Sequence, residues 1–66
     1  MSQRRALIKT QDSRAVARYL PSNYVVLETT EAGVLISGKD NAGWTLDDYV
    51  LPRLASGLYF GEEVTA

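Results

Sequence analysis

The sequence predicts a small two-layer α+β domain in the order β-α-β-β-α, with a three-stranded mixed sheet and two helices on one face. Three observations carry that prediction. Residues 24–29 and 34–39 are rich in β-branched and aromatic side chains and flank a short stretch ending in Gly33, the pattern of a hairpin whose loop uses the conformational freedom of glycine. Apolar residues at helical spacing follow two capping residues, Asp12 and Thr45. A length of 66 residues allows one domain, 1–66, with a single small core.

The elements follow in order. Residues 5–10, with Ala6, Leu7 and Ile8 between charged flanks, read as a strand whose basic start frays. Asp12 caps a short helix that places Val16, Tyr19 and Leu20 on one side and Arg14 with Arg18 on another. Pro21 ends it, because the residue before a proline is driven out of the helical region. The hairpin comes next, with Val25 and Leu27 on one side of its first strand and Tyr24 and Val26 on the other. Then follows the best local signature in the chain, residues 44–49. Thr45 can cap the amide of Asp48 while the Asp48 carboxylate reaches back, and Trp44 with Tyr49 can close a hydrophobic staple over the first turn. Leu46, Val50 and Leu54 recur at fours and should face the sheet. Pro52 predicts a kink or break followed by a second short turn to Ser56, with Gly57 as a C-terminal cap. Residues 58–60 are a short apolar segment and 61–66 an acidic tail. A right-handed crossover makes the first strand parallel to the second and leaves the place of the third open.

Charge is sorted along the chain. Residues 1–20 carry Arg4, Arg5, Lys9, Arg14 and Arg18 against Asp12 alone, a balance of +4, and the remainder carries −5. Neither cysteine nor histidine occurs, which removes disulfides and the usual zinc sites as staples and leaves local chemistry or oligomerisation to stabilise the domain. The apolar runs are too short for a membrane span or signal peptide, which points to a cytoplasmic protein with no membrane partner.

Candidate chemistry is sparse. Asp40, Asp47 and Asp48 lack the spacing of a calcium loop, and capping with helix-dipole compensation accounts for the last two. Gly33, Gly38 and Gly43 match neither a dinucleotide fingerprint nor a P-loop. A serine nucleophile has no histidine to activate it. The expectation is therefore no catalytic residue, no cofactor and no metal. Two surfaces remain. Surplus apolar side chains, Trp44 and Tyr49 at the staple and Tyr24, Val26, Leu35, Tyr59 and Phe60 against a second sheet face, suit a protein interface or a homodimer contact. Arg4, Arg5, Lys9, Arg14 and Arg18 could line a phosphate-binding stripe, or be a solvated face that pairs with the acidic half of the same chain, the reading that composition favours.

The stretch 41–57, which includes Ala42-Gly43-Trp44-Thr45-Leu46-Asp47-Asp48-Tyr49-Val50 and Pro52-Arg53-Leu54-Ala55-Ser56-Gly57, resembles a segment of short proteins of actinobacteria and their bacteriophages to which no activity attaches. The resemblance implies a cytoplasmic, phage-encoded setting and transfers no functional residue. The resulting expectation is a non-enzymatic protein-interaction module that binds through an open apolar sheet face or the Trp44 corner. A nucleic-acid-binding accessory protein is the alternative.

Overall fold

The computed structural model describes residues 3–64. Along the chain run β1 (Arg4–Ile8), α1 (Ser13–Tyr19), β2 (Tyr24–Thr30), β3 (Gly33–Gly38), a π-helical turn (Leu46–Val50) leading directly into α2 (Leu51–Ser56), and β4 (Gly61–Val64). The strands form one sheet in the order β2-β3-β1-β4, and every neighbouring pair is antiparallel.

This corrects the three-stranded mixed sheet and the order β-α-β-β-α. β1 and β2 do run the same way, but β3 lies between them, so the described sheet has no parallel pair. The stretch expected to be an acidic tail supplies the fourth strand, with Gly61, Glu62, Glu63 and Val64 opposite Ile8, Leu7, Ala6 and Arg5. Two adjacent glutamates give no β signal. What makes the segment a strand is the free edge of β1 and a two-pronged ion pair between Glu63 and Arg4. The basic start is likewise ordered into β1 from Arg4 onward; residues 1 and 2 lie outside the described part.

Strand alternation sends Ala6, Ile8, Val34 and Ile36 to one face of the sheet. There they meet Val16 of α1, Leu46 and Val50 of the π-helical turn, and Leu54 of α2, all of them fully buried. Both helices therefore cover the same face, and Leu46, Val50 and Leu54 form the expected buried row.

Local chemistry fixes the elements. The Ala15 amide donates to Asp12 Oδ1 at 3.1 Å, and α1 ends where Leu20 turns extended before Pro21. The Asp48 amide donates to Thr45 Oγ1 at 3.1 Å. The return half of the capping box is not formed among the described residues; Asp40 Oδ1 accepts from the first-turn amide of Leu46 instead, at 2.8 Å. At Pro52 the expected kink or break takes the form of a change of helix type, the π-helical turn giving way to α2 at Leu51, which ends at Ser56 as expected. The proline ring would crowd the carbonyl one turn earlier and the residue has no amide hydrogen to donate, and the chain answers by widening that turn. The amides of Val50 and Leu51 then reach five residues back, to the carbonyls of Thr45 and Leu46. In the hairpin, only Glu31 and Ala32 separate the strands. Gly33 adopts a φ of 145°, and a β-carbon there would overlap the Ile8 carbonyl of the adjoining strand. Only glycine satisfies both conditions.

Candidate interaction face

The face of the sheet opposite the helices carries no covering element among the described residues. Register defines its membership. Because Ala6 and Ile36 face the core, Arg5, Leu7, Leu35 and Ser37 point away from it. Val25 joins them opposite Ser37, as do Val64 and Glu62 opposite Arg5 and Leu7. β2 contains a bulge between Val26 and Glu28, which leaves Leu27 as an extra residue and sets Glu28 opposite Leu35. Without that bulge Glu28 would face the helices. With it, an exposed leucine and a carboxylate share the open side.

Val25 is 56% and Leu27 51% exposed, with Val64 at 37%. Leu7 and Leu35 are half-buried between them. Ser37, one residue from the end of β3, is buried on this face and accepts a hydrogen bond from Gln3 Nε2 at 2.7 Å. Gln3, Arg5, Leu27 and Ser37 line an open hollow of about 370 Å³. No ion-pair partner approaches Arg5 among the described residues, whereas Lys9 and Glu62 at the margin approach to 3.9 Å. The face thus has an apolar middle, a polar hollow holding an unpaired guanidinium, and acidic side chains on both edge strands.

The expected membership of this face needs correction. Tyr24 and Val26 lie on the helix side. Tyr24 is 3% exposed and belongs to the core, and Val26 packs against it. Tyr24 turns inward because Gly38, its cross-strand partner, leaves room for the ring; a β-carbon on Gly38 would collide with it. Of the expected residues Leu35 does occupy the open face. Tyr59 packs on the core and against the Tyr19 ring, 5.9 Å between centroids. Phe60 is exposed at the start of β4, where its carbonyl accepts from the Lys9 amide. Leu7, Val25 and Leu27 are the members not expected as interface residues. Their signal was present, since alternation already set Val25 and Leu27 apart from Tyr24 and Val26, but alternation does not say which side the helices cover.

The Trp44 corner is built as a staple. Trp44 stacks on Tyr49 at 5.9 Å with an 18° interplanar angle. The Arg53 guanidinium lies 5.8 Å from the rings of both Tyr49 and Tyr19, and its Nε donates to the Tyr19 carbonyl. The row Trp44, Tyr49, Arg53, Tyr19, Tyr59 ties the π-helical turn and α2 to α1, at roughly 0.5–1 kcal/mol for each exposed cation–π contact. The spacing of Tyr49 and Arg53, one helical turn, is the sequence signal for that pair. Trp44 itself is 42% exposed.

The five N-terminal cations do not form one stripe. Arg5 and Lys9 lie on the open-face side of β1 and its extension. Arg14 and Arg18 stand exposed on α1. Arg4 is held inside the molecule's own charge network. Its guanidinium donates to both oxygens of Glu63 (2.9 and 2.7 Å), to Asp40 Oδ2 (2.6 Å) and to Asp47 Oδ2 (3.0 Å). The hydrogen bonds it donates to Glu63, Asp40 and Asp47 raise the Arg4 pKa well above its ordinary value. Asp40 Oδ1 in turn accepts from the Tyr24 hydroxyl at 2.9 Å and the Leu46 amide at 2.8 Å. Burial opposes ionisation of Asp40, but the bonds from Arg4, Leu46 and Tyr24 outweigh it and hold the carboxyl below its usual range. The Arg4 bond lowers Glu63 too, against a smaller effect of burial. Burial, then the bond to Asp40, pushes the Tyr24 hydroxyl upward. Asp40 and Asp47 are therefore occupied with Arg4, and the described residues contain no cluster of three or more metal-ligating side chains. No described helix is long and apolar enough to cross a membrane.

Comparison with protein-family models, with curated proteins and with solved structures gives no match.

Proposed function

We propose that this chain is a non-enzymatic interaction module that docks protein through the open face of its sheet. The observation that carries the reading is the exposed apolar centre made by Val25 and Leu27 beside Leu7 and Leu35, on a side that neither helix covers. Completing the burial of a half-exposed valine or leucine is worth about 1 kcal/mol each, so occupancy of this face is favoured by several side chains at once. The Trp44 corner is the weaker docking surface, since one face of its ring is already stacked on Tyr49. The nucleic-acid alternative draws less support, because the five cations lie on separate surfaces.

A photo-crosslinking side chain placed at Val25 or at Leu27, with Ala17 on the exposed side of α1 as control, tests this. Protein adducts should form at 25 and 27 and not at 17. Equal labelling of all three positions, or adducts at 17 alone, would refute the reading.

A further inference from the structure

We infer that the occupant of the open face is a second copy of this chain, packed face to face so that Glu28 of each copy enters the hollow beside Arg5 of the other. This inference rests on the proposed docking role of the face and names its partner.

Charge complementarity is the first argument. Arg5 lies on β1 and Glu28 on β2, with β3 between them and Glu28 two residues further along the register, a separation of about 12 Å at ordinary strand spacing and rise. Within one chain neither has an ion-pair partner among the described residues. A two-fold contact is self-complementary, so one cation and one anion on the same face satisfy each other twice. The hollow lined by Gln3, Arg5, Leu27 and Ser37 gives the incoming carboxylate a guanidinium to meet. Leu27 forms its apolar wall. An orthogonal crossing, one of the two standard ways that sheets stack, brings Glu28 toward Arg5 while Leu7 and Leu35 of the two copies meet at the centre.

Size is the second argument. The Cα positions span 29 × 25 × 17 Å, so the molecule is a slab. The two longer extents define an area of the order of the roughly 800 Å² per partner buried in a standard stable interface. The competing mode, association edge to edge, is blocked on both sides of the sheet. The β2 edge is interrupted by the bulge at Leu27, and the β4 edge is four residues long with two glutamates, both recognised ways of blunting an edge strand.

Sedimentation equilibrium of the full chain tests the inference, using wild type, Arg5→Glu, Glu28→Arg, the double swap and Leu27→Asp. Wild type should sediment at twice the monomer mass. Each single charge reversal should raise the dissociation constant at least about tenfold, and the double swap should restore it. Leu27→Asp should be monomeric with an unchanged circular dichroism spectrum, since the residue is exposed. A wild-type monomer throughout the micromolar to millimolar range overturns the inference, as does a dimer indifferent to both reversals. Crosslinking distinguishes the failures: a monomer that still forms adducts with another protein at position 25 loses the self-partner and keeps the docking face, whereas a monomer without adducts loses both.

Discussion

Leu58 carries a φ of 70°, and no other described non-glycine residue has a positive φ. The cause lies in how α2 ends. The Tyr59 amide donates to the Leu54 carbonyl and the Leu58 amide to that of Ala55, the two bonds of a Schellman motif, which demands a left-handed residue at the position after the cap. Gly57, expected as the cap, occupies that place with a φ of −96°. The strained position falls one residue later. Gly57 is kept small by Tyr19, whose hydroxyl would collide with a β-carbon at 57. Because Leu58 is 77% exposed, Leu58→Gly removes strain without removing packing. It should raise the unfolding free energy by about 1 kcal/mol, read as a higher urea midpoint at unchanged slope. Asp40 presents the opposite case, a residue whose role is invisible in sequence. It joins β1, β2 and the π-helical turn through Arg4, Tyr24 and Leu46. Asp40→Ala leaves the Tyr24 hydroxyl and Leu46 amide without an acceptor and should cost about 2 kcal/mol by the same measurement. Capping by Asp12 and Thr45 was legible because the cap and its target amide lie three residues apart. The bonds of Asp40 to Arg4 and Tyr24 join residues far apart in sequence.

At the scale of the element, the segment 46–56 shows how one residue resets a helix. Leu46, Val50 and Leu54 all reach the core, as their spacing requires, yet the turn containing the first two is wider than an α-helix. Pro52→Ala restores an amide that can donate to the carbonyl of Asp48. The bonds from Val50 to Thr45 and from Leu51 to Leu46 should then give way to ordinary four-residue bonds, detectable as changed hydrogen-bond couplings in the magnetic resonance spectrum. Persistence of the wide turn would assign it to the Leu46–Asp40 tether instead. The strands divide in the same way. β2 and β3 announce themselves by β-branched side chains, and both are present within a residue of the expected bounds. β4 has no such composition and exists through β1. The bulge at Leu27 has no glycine to mark it, and it decides which residues of β2 share the open face.

At the scale of the molecule, the sorted charge of the chain becomes a folded contact. Arg4, near the basic start, closes on Asp40, Asp47 and Glu63, so the two halves are bound across the sheet's end. That network sets the pH range of the fold. Asp40 and Glu63 have lowered folded values, so the stability they contribute is full above about pH 4–4.5, the unfolded carboxyl range, and is lost as pH falls through the folded values. Tyr24 is raised, so its contribution is full below about pH 10 and is lost as pH rises through the folded value. Urea unfolding should therefore be flat between about pH 5 and 9 and decline on both sides. Asp40→Asn should flatten the acid limb. The sequence by itself determined the local content of this protein: two capped helices, a hairpin and one apolar row per helix. Each depends on neighbours within about five positions, where side-chain periodicity and capping act. Tertiary structure alone decided that β3 lies between β1 and β2, that residues 61–64 are a strand, that Tyr24 faces inward and Val25 outward, and that Arg4 is consumed while Arg5 has no ion-pair partner among the described residues. Those outcomes depend on which surfaces meet, and a two-residue period is equally well satisfied by either face until the helices choose one.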